Sequence, residues 1–168
     1  MPISSLRAPS QPHMTDDGES QAGAPSPAII GVYDMTTPLE EKNIAFVLDA
    51  LDTLFNKKDY AKAAECWSDT YIQHSRVVPA GREGLFGLVR SIPDVRFEYD
   101  MVVAKGDLVW IHSRYTNSAS STALIGVDIA RIENGKLVEH WDVLQDEATR
   151  SESAGGHPMF GNAFGGEQ

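Results

Sequence analysis

The sequence predicts an α+β domain in which helices pack against a curved antiparallel sheet. Three observations support this fold class. Apolar residues recur at helical spacing in the first half of the chain, from Pro38 onward. From Val95 onward they alternate with polar residues, which is typical of strands. Turn residues divide this second half into four strands, so the expected order is helix, helix, short strand, helix and a four-stranded meander.

Composition limits the number of domains and the classes of partner. The 168 residues are enough for one domain with a hydrophobic core. The formal charge of −10 argues against nucleic acid and anionic membrane surfaces, since both favour patches of Lys and Arg, and a small organic ligand is more natural. No apolar run approaches the roughly 20 residues of a membrane span, and the start lacks a secretory signal. The single Cys66 fits a reducing compartment, so we expect a cytoplasmic protein.

The first 36 residues differ in composition from the rest. They are rich in Pro, Ser, Gly, Ala and Gln, which predicts a disordered arm over 1–36. A helix is expected after this arm, because Thr37 can cap it, Pro38 fits the first helical position and Glu40 completes a capping box. Its apolar stripe consists of Ile44, Val47, Leu48, Leu51, Leu54 and Phe55.

Shorter elements follow the long helix. Asp59 can cap a second helix, residues 71–74 are expected to form a short strand, and residues 83–91 a third helix. The four strands of the meander then complete a domain that spans 37–147.

The tail, 148–168, is polar and glycine-rich, which predicts flexibility. It nevertheless contains Met159 and Phe160, and apolar side chains in such a tail indicate that it docks on the domain. Two interpretations stay open. The tail either covers an exposed edge or subunit contact, or it forms a lid over a pocket mouth.

The last hairpin holds the residues best suited to proton transfer. His140 and Asp142 share one face of the final strand in any register, because strand side chains alternate between faces. Whether Asp128 on the preceding strand joins them depends on the turn. A two-residue primed turn at 134–135 would put Ile129 opposite His140 and leave Asp128 on the other face.

A three-residue loop over 133–135, with Gly135 as a bulge, would instead place Asp128 directly opposite His140. We favour this register because it separates polar from apolar side chains. One face would hold Asp128, Ala130, Val138, His140 and Asp142. The other would be nearly apolar, with Val127, Ile129, Leu137, Trp141 and Val143. An exposed apolar face needs a cover, and a symmetric dimer is the simplest.

Each polar residue of this hairpin has a catalytic and a structural interpretation. Asp142 is either the base in a proton abstraction or one half of a buried ion pair with His140 or Arg114. His140 either carries a proton or orients Asp142. Asp128 either holds His140 in one tautomer or caps the rim of a barrel.

Other residues are candidates for the pocket wall. Trp110, His112 and Arg114 share one strand face and would form a polar wall if that face points inward. His74 either reaches the pocket mouth or makes a loop hydrogen bond. The histidines and carboxylates lack the short spacing of metal ligands, so no metal site is predicted. The predicted substrate-binding set is Tyr71, His74, Phe86, Trp110, His112 and Arg114.

Several segments, which together span 38–145, are similar to one known family. They are Tyr71-Ile72-Gln73-His74, Gly81-Arg82-Glu83-Gly84-Leu85, the strand with His112, Val127-Asp128-Ile129-Ala130-Arg131, Glu133-Asn134-Gly135-Lys136 and Val138-Glu139-His140-Trp141-Asp142-Val143-Leu144-Gln145. The chain resembles the SnoaL-like polyketide cyclases, of the cone-shaped superfamily that includes nuclear transport factor, ketosteroid isomerase, scytalone dehydratase and limonene epoxide hydrolase. It is most similar to predicted SnoaL-like aldol-condensation enzymes, except that Ser75-Arg76 stands where these usually have Asn-Pro.

The resemblance implies a curled sheet wrapped around a long N-terminal helix, a cone-shaped barrel with a deep apolar pocket, and a homodimer through the outer sheet face. It places the acid/base carboxylate at Asp142, with His140 two residues earlier, and implies neither a metal nor an organic cofactor. The expected function is acid/base catalysis that cyclises, isomerises or dehydrates a small hydrophobic, carbonyl-containing, polyketide-like metabolite. Two alternatives stay open: a non-catalytic module for hydrophobic-ligand binding or dimerisation, and a hydrolysis in which Asp128 and Asp142 position water.

Overall fold

Three α-helices and a five-stranded sheet make up the domain in the computed structural model, which describes residues 36–165. The predicted arm therefore lies outside the described residues, except for its last residue. The helices are α1 (Pro38–Leu51), α2 (Tyr60–Cys66) and α3 (Gly81–Ser91), and α1 runs on into a π-helical turn, Asp52–Asn56. The strands are β1 (Trp67–His74), β2 (Arg96–Lys105), β3 (Leu108–Thr116), β4 (Leu124–Glu133) and β5 (Lys136–Asp146). No helix in this part of the chain is long and apolar enough to cross a membrane.

The start of α1 has the predicted capping box. Thr37 N donates to Glu40 Oε2 at 2.8 Å, and Glu40 N donates to Thr37 Oγ1 at 3.3 Å. Glu40 Oε1 also accepts from Gly106 N in the β2–β3 turn at 2.8 Å, and Asn43 Nδ2 donates to Gly106 O at 2.9 Å. The N–H groups of Thr37 and Gly106 lower the pKa of Glu40. The first helix is thereby attached to the sheet by polar contacts as well as by its apolar stripe.

The sheet is mixed, not purely antiparallel as expected. Its strand order is β1-β5-β4-β3-β2; β1 pairs with β5 in parallel, and the other neighbours are antiparallel. The long connection through α3 and the meander allows β1 to lie along β5 in the same direction. Because β1 and β2 are both edges, the sheet does not close into a barrel. The α+β class and the packing of the helices against one side of the sheet are confirmed.

The core lies between the helices and the side of the sheet that faces them, which we call the inner face. Its fully buried side chains include Val47 of α1, Leu54 of the π-helical turn, Phe86 of α3, and Val109 and Ile111 of β3. Each such side chain contributes roughly 1.5–3 kcal/mol by leaving water.

The apolar alternation of β2 does not keep one face inward along the whole strand. Phe97 is buried, but a bulge between Tyr99 and Val102 shifts the register. Beyond it Val102 packs on the core, whereas Met101 is 61% exposed. An extra residue in one strand moves all later side chains of that strand to the opposite face of the sheet. A period-two pattern in the sequence does not predict such a bulge.

The tail contacts the other side of the sheet, which we call the outer face. The Phe160 ring lies 5.4 Å from the His112 ring of β3, and Gly161 N donates to Asp100 Oδ2 at 3.3 Å. Phe164 is buried, with the Arg150 guanidinium 4.5 Å from its ring. The described part of the tail therefore covers part of the outer face.

Candidate active site

A cavity of about 130 Å³ lies between α1, α3 and the inner face of the sheet. Most of its wall is aliphatic or aromatic, and Leu51, Leu88 and Ile111 are examples. Its polar lining residues come mainly from the strands: Tyr71, Gln73, Tyr115, Asn117, Asp128, His140 and Asp142. Within residues 36–165, neither Lys nor Arg lines the cavity, and no lining residue comes from the tail at 148–165. The lid interpretation of the tail is therefore wrong for this structure.

The turn between β4 and β5 differs from the one we favoured. Asn134 and Gly135 form a two-residue turn with φ of 50° and 72°, and Glu133 pairs with Lys136. A bulge then shifts the register between Ile132 and Arg131. Asp128 consequently lies opposite Asp142, and the predicted pairing of Asp128 with His140 is wrong.

Because of the bulge, Asp128 lies on the predicted face although the predicted register is wrong. A two-residue turn alone would put Asp128 on the face opposite His140, and the one extra residue of β5 restores it to the same face. The same bulge reverses our assignment at the start of β5. Leu137 is buried and lines the cavity, whereas Val138, which we expected there, is absent from its lining.

Asp128 is the buried centre of a hydrogen-bond network on the inner face. Its Oδ2 accepts from the Tyr115 hydroxyl at 2.9 Å and from the Ser113 hydroxyl, and its Oδ1 lies 3.0 Å from His140 Nε2. The carboxylate is only 3% exposed, but its three donors compensate for the loss of water. The backbone of Gly126 makes room for this contact, because a Cβ there would lie 2.7 Å from Ser113 Oγ.

The network continues from His140 to β1. His140 Nδ1 lies 3.1 Å from Gln73 Oε1, which also accepts from the Tyr71 hydroxyl at 2.9 Å. Both ring nitrogens of His140 therefore contact oxygen atoms. Gln73 Nε2 is buried and has no hydrogen-bond partner among residues 36–165. Desolvation raises the pKa of the Tyr71 and Tyr115 hydroxyls, so both remain hydrogen-bond donors at neutral pH.

Asp142 differs from every other acid near the cavity. It is half-buried and lines the cavity, yet its carboxylate makes no hydrogen bond or ion pair with any described residue. The expected structural role, an ion pair with His140 or Arg114, is wrong: His140 contacts Asp128 and Gln73, and Arg114 contacts Glu147 at 2.7 Å. The structure thus brings Asp128, His140 and Asp142 together and leaves one carboxylate unpaired.

Five of the six predicted substrate-binding residues do not line the cavity, and Tyr71 is the exception. Trp110, His112 and Arg114 lie on the outer face, because Ile111, Ser113 and Tyr115 of the same strand point inward. The expected polar wall is therefore wrong.

The other two residues miss the cavity for different reasons. His74 Nε2 lies 2.9 Å from Glu139 Oε1, and its ring stacks on Trp141 at 5.0 Å, outside the cavity. Phe86 is buried behind the wall, 5.5 Å from the Trp67 ring, which itself lines the cavity. Its role is packing, not contact with a ligand.

Sequence reasoning missed Gln73 and Ser113. Gln73 shares a strand face with Tyr71 by alternation, which would have selected it and excluded His74. Ser113 gave no comparable signal, since its role depends on which face of β3 is inward. Within residues 36–165, no group of three His, Cys, Asp or Glu side chains is arranged to hold a metal ion.

Comparison with known proteins agrees with this architecture. A family model described as SnoaL-like domain matches residues 47–140. No curated protein matches the sequence. A candidate ketosteroid isomerase from Kribbella flavida DSM 17836 is 17% identical with a TM-score of 0.58, over 75% of this chain and 97% of that one.

Two further solved structures are similar. A candidate SnoaL-like polyketide cyclase from Jannaschia sp. CCS1 is 18% identical with a TM-score of 0.54, over 65% of this chain and 89% of that one. AclR, a candidate hydroxylase from Streptomyces galilaeus, is 20% identical with a TM-score of 0.53, over 63% and 90%. At these identities the structures share the fold alone. With more than half of its length matched by the family model, the chain belongs to the SnoaL-like domain family.

Proposed function

We propose that this protein is an acid/base catalyst that acts on a small carbonyl compound, with Asp142 as the base. One observation carries the proposal. Asp142 is a half-buried carboxylate on the wall of a largely apolar cavity, and no described residue makes a hydrogen bond or an ion pair with it. A carboxylate in such a position can take a proton from the carbon next to a carbonyl group.

The reaction begins when Asp142 removes that proton and the electron pair moves to the carbonyl oxygen. Gln73 Nε2 is suited to stabilise this oxygen, because it is a buried donor without a partner in the described part of the chain, and its side chain lines the cavity. Asp142 then returns the proton to another carbon in an isomerisation. In a cyclisation the carbanion attacks a second carbonyl carbon, and Asp142 gives the proton to the alkoxide that forms. In a dehydration the electron pair expels the β-hydroxyl group, which leaves as water with the proton from Asp142.

Asp128 and His140 have supporting roles in this proposal. Asp128 holds His140 through Nε2, and Gln73 holds it through Nδ1, so the imidazole is fixed in position. Since both nitrogens already contact oxygen atoms, His140 is less suited than Asp142 to exchange protons with a substrate. It instead fixes Gln73 Oε1, and thereby leaves Gln73 Nε2 as the unpaired donor.

The test is hydrogen exchange on a bound ketone in deuterated water, followed by NMR. Asp142→Asn keeps the size of the side chain and removes the base, so we expect the exchange rate to fall about 10²–10⁴-fold with little change in ligand affinity. Asp146→Asn is the matched control, because it makes the same charge change on an exposed part of β5 outside the cavity lining. Exchange that survives in Asp142→Asn would falsify the proposed role of Asp142.

A second candidate function is non-catalytic binding of a hydrophobic ligand. The mainly apolar wall favours it, since such a wall binds a ligand without any chemistry. Ketones that bind but show no exchange above the solvent background in the unmodified protein would favour this alternative.

We also propose a homodimer through the outer face. Val127 is 43% exposed and Val143 is 74% exposed on neighbouring strands of that face, in pairing register with each other. The tail covers His112 on β3, and these valines are part of the apolar surface left for a second copy.

A further inference from the structure

We infer that the cavity accepts an uncharged ketone or enone of about one six-membered ring, and that it rejects polycyclic and acidic compounds. This inference rests on the proposed function, because it names the substrate class of the same site. It depends on the volume of the cavity, on the packing of its walls and on the charges that line it.

The volume sets the size of the ligand. The cavity measures about 130 Å³. An apolar cavity of about 150 Å³ is known to hold one benzene ring, and pockets for larger organic ligands measure roughly 300–1,000 Å³. One ring with a carbonyl group therefore fits between the walls, and a second fused ring would have to extend out of the cavity on the side where the exposed Val77 forms its lining.

The walls are held by close packing. Val47, Val89 and Ile111 line the cavity and are at most 1% exposed, so they cannot move outward without disturbing the core. The start of α3 is tightly placed against the loop before it: a Cβ on Gly84 would lie 2.4 Å from Pro79 O. The helix and the sheet thus fix the width of the cavity from both sides.

The charges exclude an acid. Asp128 and Asp142 line the cavity, and among the lining residues that the structure describes only His140 can be a cation. His140 already lies 3.0 Å from Asp128 Oδ1. A carboxylate ligand would therefore meet the unpaired Asp142 without a compensating Lys or Arg, and would lose its water in an apolar cavity.

The distribution of polar groups sets the orientation of the ring. Gln73 and His140 lie on adjacent strands and are joined by a hydrogen bond, whereas Leu88 and Val89 of α3 offer only hydrocarbon. The carbonyl oxygen of the ligand then points to the strand wall, where Gln73 Nε2 is unpaired, and the ring carbons face α3.

The experiment measures binding of three probes by calorimetry: cyclohex-2-enone, 1-tetralone and cyclohex-1-enecarboxylate. We expect cyclohexenone to bind at least about tenfold more tightly than each of the others. Leu88→Ala removes part of the wall and should improve binding of tetralone about tenfold or more. Leu39→Ala is the control, because Leu39 is exposed and does not line the cavity. If Leu88→Ala fails to fold by circular dichroism, Leu124→Ala enlarges another part of the wall.

The outcomes separate this inference from the proposed function. Tetralone or the carboxylate binding as tightly as cyclohexenone to the unmodified protein overturns the substrate class, as does the absence of cyclohexenone binding. Hydrogen exchange on whichever ketone binds is measured in parallel. Binding of cyclohexenone without exchange would keep the substrate class and reject catalysis, while exchange on bound tetralone would keep catalysis and reject the class.

Discussion

The two faces of the sheet carry similar residues in different electrostatic states. On the outer face, Arg131 contacts Asp107 at 2.9 Å and Glu139 at 3.0 Å, and Arg114 contacts Glu147 at 2.7 Å. On the inner face, the Asp128 carboxylate is saturated by hydrogen bonds, and Asp142 on the adjacent strand has no partner among the described residues. Residue type alone therefore does not distinguish the candidate site. What distinguishes the site is that its charged side chains are buried and that one of them lacks hydrogen-bond partners among the described residues.

The difference has an energetic consequence. Exposed ion pairs contribute about 0–1 kcal/mol, because water already solvates both partners. A buried, hydrogen-bonded charge is different, since removal of one partner leaves the others without water or a substitute. Substitution of Asp107, which forms an exposed pair with Arg131, and of the buried Asp128 should therefore differ in size even where the chemical change is the same.

The largest effect is expected from Asp128→Ala. This change leaves Ser113, Tyr115 and His140 without their shared acceptor in a buried position. We expect the free energy of unfolding in urea to fall by about 3–5 kcal/mol. Asp107→Ala on the outer face removes a carboxylate whose partner, Arg131, keeps its contact with Glu139, and should cost less than about 1 kcal/mol. Equal losses in the two variants would contradict the comparison.

The same comparison shows what the sequence could predict. Alternation put His140 and Asp142 on one face in any register, and that much was confirmed. The pairing of Asp128 was not predictable, because the bulge on β5 depends on how the strand bends around the core and leaves no mark in a period-two pattern. Asp128 was therefore predicted on the correct face of the sheet but opposite the wrong residue of β5.

The prediction of which β3 residues point into the cavity was wrong for a related reason. Trp110, His112 and Arg114 resemble a polar pocket wall, but a face of this kind can also lie outside the cavity under another segment of the chain. Here Phe160 of the tail contacts His112, and Glu147 neutralises Arg114, so the outer face can carry both residues. Local sequence does not reveal such a cover, since it comes from far along the chain.

A smaller effect is expected on association. If the outer face forms the proposed dimer, Val143→Glu places an unpaired charge in its apolar centre and should weaken dimerisation at least about tenfold. Sedimentation velocity over a range of protein concentrations measures this. Leu39→Glu makes the same change at another exposed apolar residue, at the start of α1, and should leave the dimer intact. A monomer at all concentrations in the unmodified protein would reject the proposed dimer.

The smallest effect belongs to Glu139 on the outer face. His74 and Arg131 lower the pKa of Glu139, His74 most strongly. A pKa that is lower in the folded state means that these contacts stabilise the fold above the ordinary pKa of a glutamate, and that their contribution is lost as the pH falls through the lowered folded value. The difference in unfolding free energy between the unmodified protein and Glu139→Gln should therefore be present above about pH 5 and shrink as the pH falls further.

Urea unfolding at a series of pH values measures this difference, and Glu133→Gln, which makes the same change on the exposed turn of the same hairpin, is the control. A difference that stays constant down to pH 3 would mean that the charge of Glu139 contributes nothing and that only its packing on the sheet matters. Even at its largest, the effect should lie well below that of Asp128→Ala, because His74 and Arg131 can turn to water when Glu139 is lost. The partners of Asp128 are buried or half-buried and cannot turn to water. On the inner face a charge therefore needs a partner, which is why Asp142, a carboxylate without one among the described residues, is chemically significant there.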